Sequence, residues 1–321
     1  MYDIVSLGEL LVDFTQSGVS DTGMRLFEQN AGGAVTNLLA AAARQGRRTA
    51  FIGKVGRDMH GAFLKNAVDR AGVDTRGLIE DDTVFTTLAF VALDAGTGER
   101  AFSFARKPGA DTRLTAEELD RGLLEHTRIF HHGSLSCTDE PANTATREAI
   151  RIARNAGALI SYDPNYRASL WDNRGTAVEV MRSLLDTADF VKISDEEAVL
   201  LTGEEDPALA ARAILGRGVR VAAVTLGGDG ALVAVRDGTR HVPGFRANAV
   251  DTTGAGDAFF GGFLTAFLDG QKSIDALTVD DAAAYARVGN ATASLCVEHR
   301  GAIPAMPTRQ EVEERLKRGS V

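Results

Sequence analysis

Cysteine, proline and positive charge are all scarce in this sequence of 321 residues. The 2 cysteines, Cys137 and Cys296, lie far apart in the sequence, so a disulfide framework is not expected. We expect a reducing, cytoplasmic location instead. Proline occurs 7 times against 34 glycines. Because the glycines fall at the ends of predicted elements, this composition indicates an ordered globule with many turns rather than a low-complexity chain.

Acidic residues outnumber basic ones, 44 to 35, which gives a formal net charge of −9. Proteins that bind nucleic acid or anionic membranes without specificity need broad positive surfaces, so neither partner is expected. The richest Ala/Leu stretch, residues 38–43, is too short to span a bilayer. The first four residues lack the basic and apolar regions of a signal peptide, and we expect none.

Strand-like and helix-like segments alternate along most of the chain. The predicted strands cover residues 2–7, 49–52, 128–131, 158–163, 189–193, 221–225 and 231–236. The predicted helices cover residues 34–44, 59–70, 116–125, 142–156 and 174–187. Such alternation predicts an α/β fold with a mainly parallel sheet and helices on both of its faces.

One region departs from this alternation. Residues 86–93 and 99–104 read as the strands of a β-hairpin with a glycine-containing turn at 94–98. We expect it to protrude together with an irregular or extended stretch, so that residues 12–29 and 85–106 form a small β-lid. This lid would cover the carboxyl edge of the sheet, where ligands of open α/β sheets bind. The alternative is an ordinary edge hairpin.

The run at 251–257 reads Asp-Thr-Thr-Gly-Ala-Gly-Asp and opens an apolar helix that should be buried. A helix N-terminus with small side chains favours an anion and lets a phosphate approach the backbone. Asp257 falls in the first turn, where its carboxylate can accept the proton of an attacking hydroxyl while the anion hole stabilises the transferred group. The alternative is that Asp257 only caps the helix and the glycines only allow a tight turn.

This run resembles the second signature of the ribokinase-like, or PfkB, family of carbohydrate kinases. The first signature has its counterpart in Gly-Gly-Ala-Val-Thr-Asn at 32–37, and the similarity covers essentially the whole chain. The resemblance implies one ribokinase-like domain over residues 1–321, with a three-layer α/β/α core, a mainly parallel sheet and a small β-sheet lid.

The resemblance also implies the site residues. The catalytic set is the general base Asp257 with the anion hole of Gly254, Ala255 and Gly256. The sugar-binding set is Asp13, Gly33, Asn37, Phe104, Arg106, Arg167 and Asp257. The ATP-binding set is Lys192, Glu197, Thr225, Gly227, Gly230, Gly254, Gly256 and Asn290. Two alternatives stay open: Asn37 could cap its helix, and residues 227–230 could form only a hairpin turn.

Metal ions are implied in the same way. Glu197 matches the glutamate of the family's Asn-x-x-Glu motif, which organises hydrated Mg²⁺ near the ATP phosphates. Ser194 replaces the asparagine, so a contact between residue 194 and the metal's water shell is unsupported. The alternative for Glu197 is favourable acidity at a helix start. A monovalent cation such as K⁺ is implied at Asp251, Thr253, Cys296 and Gly301. The adjacent His131 and His132 point to opposite faces of a strand and are interpreted as structural.

Residues 104–111, 128–136 and 163–167 resemble bacterial and plant fructokinases. This implies ATP-dependent phosphorylation of D-fructose at its 6-hydroxyl, in an enzyme whose lids can pair into a homodimer. The nearest alternative is a 2-keto-3-deoxygluconate kinase, in which Arg106 and Arg167 would hold the substrate carboxylate. A ribokinase and a non-catalytic sugar sensor are further alternatives; the anion hole and Asp257 speak against the sensor.

Overall fold

A computed structural model describes residues 1–93 and 100–319. These residues form two sheets, and the larger sheet has nine strands. In sheet order they are β13 (Gly238–Val242), β12 (Ala231–Val235), β11 (Val221–Thr225), β10 (Phe190–Ser194), β9 (Leu159–Tyr162), β8 (Thr127–His132), β1 (Tyr2–Leu7), β4 (Thr49–Gly56) and β5 (Val73–Asp81). Neighbours from β11 to β5 pair in parallel, whereas β12 and β13 extend the edge antiparallel.

Helices cover both faces of this sheet. They are α1 (Ala34–Arg44), α2 (Met59–Arg70), α3 (Arg121–Glu125), α4 (Ala142–Asn155), α5 (Arg174–Leu185), α6 (Asp195–Thr202), α7 (Pro207–Leu215), α8 (Ala255–Gly270), α9 (Val279–Cys296) and α10 (Arg309–Arg318). Helices α1, α8 and α9 share one hydrophobic core with Phe51 and Phe190. Helices α4 to α7 share a second core with Phe130 and Ile160 on the opposite face. The predicted three-layer α/β architecture is therefore confirmed.

Helix α8 packs against α1 at unusually short range. A Cβ atom at Gly261 would lie 2.7 Å from Ala41 Cβ and 2.8 Å from the carbonyl oxygen of Leu38. Only a residue without a side chain fits such a contact. The two helices are thereby in close backbone contact about two turns after the start of α8.

A second, small sheet has four strands in the described residues. In sheet order they are β3 (Arg25–Gly32), β2 (Leu11–Val19), β6 (Leu88–Leu93) and β7 (Arg100–Ala105). The stretch 12–29, expected to be irregular or extended, is in fact largely the antiparallel hairpin β2–β3 with a bulge between Gln16 and Gly18. The predicted turn at 94–98 lies outside the described residues.

The prediction of one continuous helix over residues 116–125 was wrong in the middle of that range. A short 3₁₀ turn covers Ala116–Glu118, Leu119 is extended, and α3 starts only after Asp120. The cause is Asp120, whose carboxylate accepts a hydrogen bond from the backbone N–H of Leu123 and so begins a new helix. Among the described helices, none is long and apolar enough to cross a membrane.

Candidate active site

A cavity of about 740 Å³ lies between the carboxyl edge of the large sheet and the small sheet. The large sheet contributes the ends of β10 and β11, and the small sheet contributes Asp13, Val91 and Phe104. The first turn of α8 forms a further wall. This is the edge at which open α/β sheets bind their ligands.

Two features of the chain build the wall at α8. Gly254 has a φ of 77°, in the left-handed region, and a Cβ there would lie 2.7 Å from Ala302 Cβ. A glycine is therefore required for the turn that starts the helix. The helix begins at Ala255, and its first turn presents backbone amides that have no acceptor within the helix. The Gly-Ala-Gly segment thus lies where an anion is favoured.

Asp257 lies in this first turn and contacts α1. The Nδ2 of Asn37 donates a hydrogen bond to Asp257 Oδ2 across 2.8 Å. Burial raises the pKa of Asp257 to about 7, and the nearby carboxylate of Asp163 adds to the rise, while Lys192 and Asn37 oppose it. A carboxylate with a pKa near neutrality can accept and release a proton under working conditions.

Asn37 does not cap its helix. The N-cap position of α1 is Gly33, and the side chain of Asn37 bonds to Asp257 instead. Its other polar atom, Oδ1, is buried without a hydrogen-bond partner in the described structure. A buried orphan acceptor at the wall of a cavity is suited to a ligand hydroxyl.

Asp13 lies against the backbone that leads into α1, and it lines the same cavity as Asn37. A Cβ atom at Gly32 would lie 2.1 Å from Asp13 Oδ2, and Gly33, with φ 128°, fits tightly against the carbonyl of Glu9. Burial raises the pKa of Asp13 to about 6, and Arg167 opposes the rise.

Glu9 also lines the cavity and was missed by the sequence reasoning. Its Oε1 accepts a hydrogen bond from the Ala34 N–H across 2.9 Å, which ties β1 to the start of α1. The one available signal was an acidic residue directly after a buried strand.

Lys192 and Asp163 form a buried ion pair at the floor of the cavity. The Nζ of Lys192 lies 2.7 Å from Asp163 Oδ2, and both side chains are almost inaccessible. Burial disfavours the charged form of Lys192, but Asp163, Glu197 and Asp257 together raise its pKa. A Cβ atom at Gly256 would approach Lys192 Nζ to 2.9 Å, so the ammonium group lies directly beneath the anion hole. The sequence reasoning assigned no role to Asp163.

Glu197 opens α6 with both carboxylate oxygens engaged. Oε1 accepts the Tyr166 N–H across 2.7 Å, and Oε2 accepts the Ser194 N–H across 2.9 Å. The Ser194 hydroxyl accepts the Glu197 N–H in return, which completes a capping box. Burial raises the pKa of Glu197, and Asp163 adds to the rise. The helix-start role is therefore real and leaves the carboxylate facing the cavity at the same time.

Two loops meet beside α8. Asp251 Oδ1 accepts hydrogen bonds from the N–H and the hydroxyl of Thr253, and Oδ2 accepts one from the Gly301 N–H across 3.1 Å. The Sγ of Cys296 contacts the carbonyl of Thr253, and burial raises the pKa of this thiol to about 12. No cluster of three or more His, Cys, Asp or Glu side chains suited to a metal occurs in residues 1–93 and 100–319.

Most of the predicted site residues line one cavity. They are Asp13, Gly33, Asn37, Phe104, Arg167, Lys192, Glu197, Thr225, Gly227, Asp251, Thr253, Gly254, Ala255, Gly256, Asp257 and Gly301. Four predicted residues lie elsewhere: Arg106, Gly230, Asn290 and Cys296.

The four have identifiable structural contacts. Asn290 Nδ2 donates hydrogen bonds to the carbonyls of Val242 and Pro243, and it thereby holds the end of β13 and the residue that follows. Gly230 has a φ of 97° in the turn between β11 and β12, so the hairpin-turn alternative describes it. Cys296 packs under Thr253. Arg106 is bound by Asp111, Thr138 and the Leu135 carbonyl.

The two adjacent histidines are buried. The Nδ1 of His131 contacts Ser161 Oγ at 3.0 Å, and the Nδ1 of His132 contacts the Gly133 carbonyl at 3.0 Å. Burial lowers the pKa of His131 well below its usual range and that of His132 to about 4. Both rings are therefore neutral and packed at neutral pH.

The sequence matches the family described as pfkB family carbohydrate kinase over residues 1–309. A probable fructokinase-5 of Arabidopsis thaliana is 39% identical over 318 residues, which cover 98% of this chain and 97% of the relative. A fructokinase of Xylella fastidiosa, solved with bound ATP, superposes with a TM-score of 0.90 at 34% identity over 99% of both chains. A fructokinase of Vibrio cholerae O395, solved with fructose, ADP and a calcium ion, has a TM-score of 0.88 at 30% identity, covering 98% of this chain and 99% of that one.

Proposed function

Because the chain belongs to the pfkB family of carbohydrate kinases, we propose that it transfers the γ-phosphoryl group of ATP to the 6-hydroxyl of D-fructose. Asp257 is the general base of this reaction. The observation that carries the proposal is the position of Asp257, in the first turn of α8 and bonded to Asn37, with a pKa raised to about 7. Fructokinase relatives and the fructose-bound Vibrio cholerae enzyme support the choice of sugar.

The sugar lies between the two sheets. Asp13 accepts hydrogen bonds from sugar hydroxyls, and the unpartnered Oδ1 of Asn37 accepts another. Gly33 lets the ring lie on the backbone, and Phe104 forms an apolar wall. With the sugar held in this way, the reacting hydroxyl lies against Asp257, which takes its proton as the oxygen attacks phosphorus.

The phosphates of ATP lie along the first turn of α8. The amides of Gly254 and Gly256 stabilise the charge that develops on the transferred group. The Ala255 N–H already donates to the Thr252 carbonyl across 3.2 Å. Lys192, held below Gly256 by Asp163, adds a fixed positive charge at the same place. Thr225 and Gly227, at the end of β11, line the side of the cavity where the nucleotide extends.

A divalent ion, proposed as Mg²⁺, fits beside Glu197. Both oxygens of this carboxylate already accept backbone N–H groups, so it suits the water shell of a hydrated ion rather than a direct bond. The ion supplies neutralisation of phosphate charge. A monovalent cation, proposed as K⁺, fits the loops joined by Asp251, where oxygen donors of Asp251 and Thr253 come together next to Gly301.

The small sheet, proposed as the lid of a single-domain enzyme, also offers a surface for a homodimer. Phe27 and Phe90 meet at 6.1 Å between ring centroids, and both are about one-third exposed, at 36% and 37%. Replacing Phe90 with Asp is expected to dissociate the dimer in sedimentation velocity. A monomeric wild-type protein would contradict this part of the proposal. The two free, buried cysteines accord with the proposed cytoplasmic location.

A direct rate comparison tests the function. We expect ATP to phosphorylate fructose. NMR of the product should show the phosphate group on the 6-hydroxyl. The 2-keto-3-deoxygluconate kinase alternative assigns Arg106 and Arg167 to the substrate carboxylate, yet of these two Arg167 lines the cavity and Arg106 does not. If 2-keto-3-deoxygluconate gave a kcat/KM about tenfold above that of fructose, the fructose assignment would fail.

A further inference from the structure

Arg106 is buried behind the wall of the active-site cavity. It is 6% exposed, and its guanidinium is occupied on three sides. Nε and Nη2 lie 2.8 Å and 2.7 Å from Asp111 Oδ2, Nη1 donates to Thr138 Oγ1 across 2.8 Å, and Nη2 donates to the Leu135 carbonyl across 2.8 Å. An arginine committed in this way has little left to offer a substrate.

Asp111 connects Arg106 to the other end of the lid segment. It is 3% exposed, and its Oδ1 accepts a hydrogen bond from the hydroxyl of Thr87, directly before β6. Arg106 follows β7 directly. One buried carboxylate therefore joins the chain entering β6 to the chain leaving β7. The joint depends on Gly109, because a Cβ there would lie 1.8 Å from Thr87 Oγ1 and 2.8 Å from Asp111 Oδ1.

The neighbouring Thr86 is held by a second carboxylate. Asp58, the N-cap of α2, accepts the Thr86 N–H across 2.9 Å and the Thr86 hydroxyl across 2.9 Å. The two consecutive threonines before β6 are thus bonded to Asp58 and Asp111, which belong to two different segments outside the small sheet. Arg106 fixes the exit of β7 to a third part, the segment after β8.

These contacts determine where Phe104 lies. Phe104 precedes Arg106 by two residues, and it lines the active-site cavity as well as a second cavity of about 600 Å³ behind it. Burial raises the pKa of Glu9, on the wall of the active-site cavity, and the nearby guanidinium of Arg106 partly opposes this rise.

We propose that Arg106 and Asp111 are a positioning pair that holds the β6–β7 hairpin, and with it Phe104, closed over the sugar. Their contribution to the reaction is to keep water away from the transferred phosphoryl group. The phosphoryl group of ATP then goes to the sugar hydroxyl, and hydrolysis to ADP and inorganic phosphate is suppressed. The proposal rests on the proposed function for the identity of the sugar, but not for the mechanical role of the pair.

The kinetic test compares sugar phosphorylation with ATP hydrolysis in four variants. We expect Arg106→Gln and Asp111→Asn each to lower kcat for fructose about tenfold and to raise the ratio of inorganic phosphate to sugar phosphate several-fold. Since the two side chains act through one another, the double variant should be no more than about twofold worse than either single variant. Lys107→Gln, an exposed neighbour with the same loss of charge, should behave as wild type.

A direct role of Arg106 in substrate binding gives a different pattern. It raises KM for fructose, leaves the phosphate ratio unchanged and is additive with Asp111→Asn. That pattern would overturn the proposal. Loss of one partner leaves a buried charge unpaired, so Thr87→Val serves as a milder variant that removes only the hydroxyl bonded to Asp111. It should raise the phosphate ratio in the same direction.

Hydrogen exchange without any ligand separates this proposal from the function. Amides of β6 and β7 should exchange faster in Thr87→Val and Arg106→Gln than in wild type and Lys107→Gln, while those of α8 should not change. Unchanged exchange in β6 and β7 would overturn the proposal even if fructose is the substrate. Inactivity of the wild type on fructose would remove the proposed function and leave the exchange result standing.

Discussion

Asn37 donates a hydrogen bond to Asp257 across 2.8 Å, although 220 positions separate them in the chain. The bond joins the first turn of α1 to the first turn of α8. The residue proposed to bind the sugar is therefore bonded directly to the residue proposed to deprotonate it.

Replacing Asp257 with Asn removes the base while keeping its shape. We expect kcat to fall roughly 100- to 10,000-fold, the usual contribution of general base catalysis. The dissociation constant for fructose, measured by calorimetry, should change little because Asn can still accept the bond from Asn37. Asp82→Asn, at an exposed aspartate outside the cavity, is the matched control. Unchanged turnover in Asp257→Asn would remove the proposed mechanism.

The pH dependence of kcat/KM should report the ionisation of Asp257. Activity needs the carboxylate, so kcat/KM should rise with pH through an apparent pKa of about 7. The hydrogen bond from Asn37 lowers that pKa, so Asn37→Ala should move the rising limb to higher pH. A profile for Asn37→Ala that moved toward acid, or did not move, would contradict this account of the pair.

The ionised form of Asp257 should also lower the free energy of unfolding. Its pKa in the folded state, about 7, lies above the ordinary value of 3.8, so the folded state holds the proton more tightly than the unfolded state does. Stability from this group is complete below pH 3.8 and is lost as the pH rises toward 7. Asp257→Asn should therefore raise Tm at pH 8 by about 2 °C or more. The gain over wild type should shrink at pH 5; a gain that grew on acidification would show the sign to be wrong.

Gly256 should be intolerant of a side chain for a reason separate from helix geometry. A methyl group there would approach Lys192 Nζ to 2.9 Å and push the ammonium group away from its place beneath the anion hole. We expect Gly256→Ala to lower kcat about tenfold or more while the fold survives, as judged by circular dichroism. In Gly238→Ala the nearest atoms to the new Cβ, on Val279, lie 3.8 Å away, so full activity is expected there. Comparable activity in the two variants would count against the role of Lys192.

The parts of the site that could be predicted from sequence are those formed locally. The glycines and aspartate of 251–257 determine their own turn and helix start, and that run forms a wall of the cavity. The alternation of strands and helices likewise depends on short-range patterns. Even there, Asp120 interrupted an apolar segment that looked continuous, because one capping carboxylate outweighed the helical periodicity.

The parts that could not be predicted depend on long-range pairing. Asp163 carries no pattern that marks it as the partner of Lys192; only the adjacency of β9 and β10 brings the two together. The resemblance of residues 104–111 to fructokinases implied a substrate contact for Arg106. Its burial against Asp111 and Thr138 depends on the packing of the loop after β8, which a local motif does not encode.

The contact of Gly261 with Ala41 and the Leu38 carbonyl has a consequence for motion in this enzyme. Helices packed this closely cannot slide past one another without collision. We expect helices α1 and α8, with Asn37 and Asp257 in their first turns, to move as a single rigid body during turnover. We therefore expect the geometry between Asn37 and Asp257 to be set before substrate arrives.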